Sequence, residues 1–311
     1  MKNAVCTIIT SDYLHYALAL RDSIRETGFQ DFHFYIFIAA SKQDGVLNEM
    51  DEGTTCLFVD DLSKSEMGEA IYTKYFDADM DKYRWSMKSV LILHLLEEKG
   101  FGKVFCVDCD INFYSSPKFL FDELNSSAVL LTPHYRASDP GVDMENYVLS
   151  FTDGIFNAGF VGCNTSGLDA MKWWANSCLH ICEKNAQKGQ FVDQTHLNLL
   201  PVYFEGVHIV KHRGCNVANW NMLESKREVQ ADGTVKINDK YDVVFIHFTP
   251  TTIHGIQHGR DACMQPFLDA YERRNKKYFP EYTLPQRKKK AAVKPDQENR
   301  IVRKLKSWMK G

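Results

Sequence analysis

The chain has 311 residues, 44% hydrophobic and 25% charged, a balance that fits one large globular domain with or without an appendage and excludes disordered and collagen-like classes. No apolar run approaches the roughly 18 residues of a membrane-spanning helix, and Met1-Lys2-Asn3 leads directly into a core-like run, so no secretory signal is expected and the protein is placed in the cytoplasm. The net charge of −3 is unevenly spread: residues 286–311 hold ten Lys and Arg against Asp296 and Glu298, which leaves the body acidic and in need of a local positive charge for any anionic substrate.

Ala4 to Thr10 is β-branched and apolar and predicts a strand. Ser11-Asp12 then opens a helix with Tyr13, Ala17, Leu20 and Ile24 on one face and Gly28 as its stop. The end of this strand, Thr10-Ser11-Asp12, reads either as a nucleotide contact or as a plain helix cap. His33 to Ile38 and Thr55 to Val59 predict two more strands, with a short helix between them. Strands alternating with helices imply an α/β fold with a mixed, mainly parallel sheet. Neither a Gly-x-Gly-x-x-Gly turn nor a Walker-type loop is present, which disfavours a dinucleotide fold and a P-loop NTPase.

Asp79 to Gly100 predicts a long helix with Tyr83, Met87, Leu91, His94 and Leu95 on one face. Arg84 and Lys88 are i,i+4 neighbours on another face, either a solvated basic stripe or groups within reach of a diphosphate. The next stretch, Lys103 to Pro117, predicts a buried strand carrying Asp108 and Asp110 at i and i+2, which extended backbone would point to one face. Two such acids call for a divalent cation or for separate turn and cap partners. The nine cysteines are an odd number and mostly lie in apolar runs, as reduced thiols do. Cys106 and Cys109 have zinc-knuckle spacing but would face opposite ways in a strand, so a zinc site is not expected.

Ala128 to Thr132 predicts a strand, and Arg136 to Phe151, which contains Asp139-Pro140-Gly141, a mobile excursion over the site. Phe156 to Gly162 returns to the sheet, its small residues allowing a ligand or backbone to approach closely. Ser166 is expected to cap a helix through Trp173, Trp174 and Cys178. Asp193 and Gln194 stand at the first turn of a short helix, as a cap or as site groups. Val207 to Val210 predicts a strand, Glu228 to Ile237 a hairpin around Asp232-Gly233, and Tyr241 to Ile246 a buried strand ending in His247, a capping group or a ligand. His254 and His258 follow in an expected loop, and Cys263 to Lys277 predicts the last helix of the body.

In the tail, Ile301, Val302, Leu305, Trp308 and Met309 form one apolar stripe on a helix otherwise lined with Lys and Arg. That pattern reads as a surface helix on an anionic membrane, reached through a basic linker, in preference to a nucleic-acid arm. The expected organisation is a domain over 1–280, a linker over 281–300 and an amphipathic helix over 301–311.

Five stretches, in this order, resemble the A-type-fold metal-dependent glycosyltransferases of the glycogenin-like and bacterial lipopolysaccharide group: AVCTIITSDY, VFCVDCDINFYSSP, FNAGFVGCN, VDQTHLN and VVFIHFTP. The resemblance implies a single Rossmann-like nucleotide-diphospho-sugar transferase domain. It implies Mn²⁺ or Mg²⁺ on Asp108, Asp110 and His247, Thr10 and Asp12 at the base or ribose, and Arg84 or Lys88 near phosphate or sugar. Asn157, with Ala158 and Gly159, and the catalytic pair Asp193 and Gln194 would line the donor sugar and the reacting carbon. The implied activity is metal-dependent hexosyl transfer, with retention, from a nucleotide-sugar such as a UDP-sugar to a lipid-linked cell-surface glycan. The basic tail would hold the enzyme peripherally on the inner face of the cytoplasmic membrane, and no nucleic acid partner is expected. One departure is that no Lys follows His247 in register, which leaves His254, His258 or Arg260 to take its place. The alternatives are a sugar nucleotidyltransferase, for which the first strand lacks a Gly-rich basic loop, and a non-catalytic membrane-associated sugar-nucleotide-binding protein.

Overall fold

The computed structural model describes residues 2–40 and 50–285. The helix expected between the second and third strands and the tail from residue 286 onward lie outside the described residues. In chain order the main elements are β1 (Asn3–Ile9), α1 (Leu14–Glu26), β2 (His33–Ile38), β3 (Thr54–Phe58), α2 (Glu66–Tyr75), α3 (Met80–Leu93), β4 (Lys103–Val107), β5 (Ile111–Phe113) and β6 (Val129–Pro133). Then follow α4 (Met144–Thr152), β7 (Phe156–Asn164), α5 (Leu168–His180), β8 (Val207–Ile209), β9 (Arg227–Val229), β10 (Val235–Ile237), β11 (Tyr241–Asp242), β12 (Phe245–His247), α6 (Pro250–Gln257) and α7 (Gln265–Tyr278).

Seven strands form one sheet in the order β8-β6-β7-β4-β1-β2-β3. All adjacent pairs are parallel except those made by β7, which runs against β4 and β6. The architecture is therefore α/β with a mixed, mainly parallel sheet, as the alternation of elements implies. Period-2 alternation divides the core: Ala4, Cys6 and Ile8 of β1 pack with Met87 of α3 and Trp174 of α5 in one cluster, Val5 and Ile9 with Leu20 and Ile24 of α1 in another. β5 and β12 pair antiparallel outside the main sheet, with His247 opposite Ile111.

The structure corrects several local expectations. The strand through Lys103 ends at Val107, and Asp108 and Asp110 lie in the turn that follows. Ile111 N–H closes that turn on Asp108 O at 3.0 Å. The segment expected as an excursion contains α4, because the Asp143 carboxylate accepts from Asn146 N–H at 3.0 Å and satisfies a helix-start donor. The helix through Trp173 is preceded by a turn that Asn164, not Ser166, caps, its side chain accepting from Ser166 N–H at 2.8 Å. His254 and His258 belong to the region of α6, where Pro250 occupies the first turn and Thr249 Oγ1 accepts from Thr252 N–H at 3.2 Å. The expected strand to Ile246 is broken into β11 and β12.

Candidate metal centre

Backbone pairing brings the three expected ligands together. Asp108 N–H donates to Gly159 O of β7 at 2.8 Å, and Phe248 N–H to Asp110 O at 2.9 Å, so the turn is pinned on both sides. Because β12 runs against β5, His247 arrives beside Asp110, and its Nε2 lies 3.0 Å from Asp110 Oδ1. Asp108, Asp110 and His247 each offer a ligand atom within 4.8 Å of the others. Both carboxylates keep about a third of their side-chain surface exposed (34% and 33%), whereas the His247 side chain is 7% exposed, so the cluster is buried on the imidazole side and open on the acid side. Two carboxylates and an imidazole nitrogen fit a divalent cation such as Mn²⁺ or Mg²⁺.

The electrostatics are those of a tight pair. Burial alone would raise the Asp110 carboxyl, but the His247 charge and hydrogen bond outweigh it and hold the carboxyl below its ordinary value. Burial likewise works to lower His247, and Asp110 more than compensates, raising it. Gly159 completes the packing: a Cβ there would come within 2.6 Å of Asn157 Oδ1 and 2.7 Å of His247 Cε1, so only glycine lets the imidazole lie against β7.

Lys88 is the nearest cation. It is buried rather than solvated, with Nζ 2.8 Å from Asp108 Oδ1, 3.3 Å from Asp193 Oδ2, and donating to Ala158 O at 3.0 Å. Burial opposes its charge, but Asp108 and Asp193 overcome that and raise its pKa. Asp193 does not cap a helix; its carboxylate faces Lys88, and burial, partly offset by Lys88 and reinforced by Asp108, pushes it up to about 6. Gln194 Oε1 accepts from Ala158 N–H at 3.1 Å, and Gln194 Nε2 donates to Asp153 O at 2.6 Å. Asn157 contacts Gln194, His134 and His247, all three within 3.2 Å.

Other expected residues lie at the edge of this cluster. Thr10 Oγ1 hydrogen-bonds the Asp12 carboxylate, and Arg84 pairs with Asp81. A cleft of about 180 Å³ opens over the acids, walled by Tyr13, Arg84, Trp85, Lys88, Asp108 and Asp110, so Tyr13 rather than Thr10 or Asp12 meets it. A larger cavity of about 670 Å³, lined in part by Leu62, Met67, His94, Glu97 and Lys172, shares no residue with this cleft and none with the ligand cluster. His254 and His258 stack on each other at 4.0 Å, and Arg260 Nη2 lies 3.0 Å from His254 Nδ1. Trp220 is 9% exposed and stands edge-on to both His134 and His247. Sequence reading missed His134, Trp85 and Trp220. Only Tyr13, adjoining the quoted Thr10-Ser11-Asp12, carried a signal that could have been extended by one residue.

No protein-family model matches the chain. Two Bacillus subtilis (strain 168) proteins are similar to it: the uncharacterized protein YfnD, 27% identical over 255 residues that cover 79% of this chain and 77% of YfnD, and the uncharacterized protein YfnF, 25% identical over 259 residues that cover 80% and 82%. Among solved structures, apo mouse xyloside xylosyltransferase 1 is 15% identical with a TM-score of 0.48, covering 81% of this chain and 99% of that one. The galactosyltransferase LgtC, in complex with donor and acceptor sugar analogs, is 13% identical with a TM-score of 0.45, covering 84% and 95%.

Proposed function

We propose that this chain is a divalent-metal-dependent glycosyltransferase that moves a hexose from a nucleotide-diphosphate sugar to a glycan acceptor. The convergence of Asp108, Asp110 and His247 beside a cleft that also bears Lys88 and Arg84 carries this reading. A diphosphate brought to an acidic body needs a concentrated positive charge, and two acids with one imidazole would hold Mn²⁺, or Mg²⁺, for that purpose. When bound, the metal would neutralise charge on the leaving diphosphate as a Lewis acid.

This chain's own residues orient the reactants. Lys88 adds a fixed positive charge next to Asp108, and Asp193, 2% exposed, holds that ammonium in place instead of meeting solvent. Asn157, Ala158, Gly159 and Gln194 form a rigid wall for the donor sugar, since their amides are tied to one another. The cleft's 180 Å³ is smaller than the roughly 300–1,000 Å³ of enclosed small-molecule sites, so the donor would lie partly in the open, its base and ribose against Tyr13. In the reaction the bond from the anomeric carbon to the diphosphate oxygen breaks as the acceptor hydroxyl oxygen bonds that carbon and passes its proton to the departing diphosphate.

The finer parts of the proposal rest on the sequence resemblance and the basic tail: UDP as the nucleotide, retention at the anomeric carbon, a lipid-linked cell-surface glycan as acceptor, and residues 286–311 on an anionic membrane. Among the described residues no helix is long and apolar enough to cross a membrane.

Incubation with a panel of nucleotide-sugars, with and without Mn²⁺, tests the reading by release of free nucleoside diphosphate. The expected result is metal-dependent release from one donor that Asp110→Asn abolishes. Pyrophosphate-dependent formation of a nucleoside triphosphate would replace this reading with a sugar nucleotidyltransferase, and absence of both turnover and metal-dependent nucleotide binding would sink both.

A further inference from the structure

The donors and acceptors around His247 are assigned by backbone groups. Ala158 N–H donates to Gln194 Oε1 and Gly159 N–H to Asn157 Oδ1, each at 3.1 Å, which fixes both amide orientations because only the oxygen of an amide accepts. Asn157 Nδ2 therefore donates, to Gln194 Oε1 at 3.1 Å and to His134 Nε2 at 3.2 Å. His134 Nε2 must then carry a lone pair. Its Nδ1 faces the carbonyls of Gly154 at 3.0 Å and Ile155 at 3.3 Å, where it can only donate. At the other end, His247 Nδ1 faces Asn157 Oδ1 at 3.2 Å and must also donate. Burial, with Arg136 nearby, holds His134 down at about 3, which agrees with the neutral ring that this pattern requires.

We propose that His134 is a positioning residue for the metal site: accepting from Asn157 Nδ2, it holds the Asn157 oxygen on His247 and so sets the tautomer and ring angle that direct His247 Nε2 at a divalent cation. The inference rests on the metal reading above. Trp220 supports the same geometry, standing at 79° to the His134 ring and 87° to the His247 ring with centroids 5.2 and 5.3 Å away. His134 is 3% exposed and lies outside the ligand cluster, so its part is exercised through Asn157.

The test is Mn²⁺ affinity of the full chain, read from the electron paramagnetic resonance signal of the free ion. His134→Phe keeps a ring against Trp220 and removes both nitrogens; it should bind Mn²⁺ roughly 10- to 100-fold more weakly. His134→Gln, which offers an acceptor and a donor, should recover most of the loss. In an Asn157→Ala background, His134→Phe should cost nothing more, the mark of two residues acting in series. Unchanged affinity in His134→Phe, or an equal further loss without Asn157, overturns the inference while leaving the metal reading intact. No Mn²⁺ binding by the wild-type chain overturns both. Should the Phe variant not fold, ¹⁵N-histidine NMR of the wild-type protein decides: a neutral His134 protonated on Nδ1 is expected, and a proton on Nε2 refutes the arrangement.

Discussion

Between α1 and α7, Asp22 accepts from Arg21 at 3.0 and 3.2 Å, from Lys277 at 2.6 Å and from Tyr278 at 2.6 Å, while Arg21 also reaches Asp51 at 2.8 Å and Thr54 at 3.2 Å. Around Lys88 the matching is incomplete. One ammonium serves two carboxylates, and Asp193 Oδ2, although 3.3 Å from it, has no aligned hydrogen bond. The contrast shows in the carboxyl groups: burial works to raise both, but around Asp22 the partners win and lower it, whereas Asp193 is pushed up to about 6. A cluster that only joins two helices has every reason to be fully matched. Under the proposed function the Lys88 cluster would receive an anionic ligand and a cation, and it would keep binding capacity in reserve for them at a cost in stability.

The largest effect on this contrast should come from Lys88→Met. Removing the charge leaves Asp193 buried without a partner, and about 3–5 kcal/mol of unfolding free energy should be lost, measured by urea denaturation at pH 7. A loss below about 1 kcal/mol would mean that Lys88 does not compensate the acids.

Asp193→Asn should have the opposite sign. Its folded pKa, about 6, lies above the ordinary 3.8, so the stability it contributes is present below 3.8 and lost as pH rises through about 6. Relative to wild type, the variant should therefore gain stability between pH 4 and pH 8, by up to about 3 kcal/mol at roughly 1.4 kcal/mol per pKa unit. A difference independent of pH would show that Asp193 is not held in an unfavourable ionised state.

The smallest shift is expected for Asp22→Asn, about 1.5–3 kcal/mol at pH 7, the range for hydrogen bonds to a charged group. Since the folded pKa of Asp22 is lowered, its stabilisation is present above 3.8 and lost as pH falls through the folded value, and the penalty of the variant should shrink in acid. Equal pH slopes for Asp22→Asn and Asp193→Asn would remove the distinction between the two clusters.

Strands β1, β2, β3, β6 and β7 were legible to within about two residues because each is a short apolar run bounded by turn or cap residues. The loop expectation for α4 failed because its cap, Asp143, lies inside a stretch whose Asp-Pro-Gly signal dominated the reading. None of α4 is fully buried, so the helix has only a weak apolar pattern to announce it. The burial of Lys88 was not legible for a related reason: spacing places it on a helix face but does not say that two acids from distant segments will cover that face.

The amino-acid sequence by itself determined the α/β alternation, the buried thiols and the pairing of Asp108 with Asp110 on one short stretch, because these depend on local periodicity and spacing. Only the tertiary structure decided that the acids converge through a turn, that the pairing of β12 with β5 delivers His247 to them, and that Asn157 and His134 stand behind that ring. The contacts made by His247 join residues about 90 to 140 positions apart, such as Asn157 with His247 and Asp110 with His247, and no local pattern encodes which distant backbone will lie alongside.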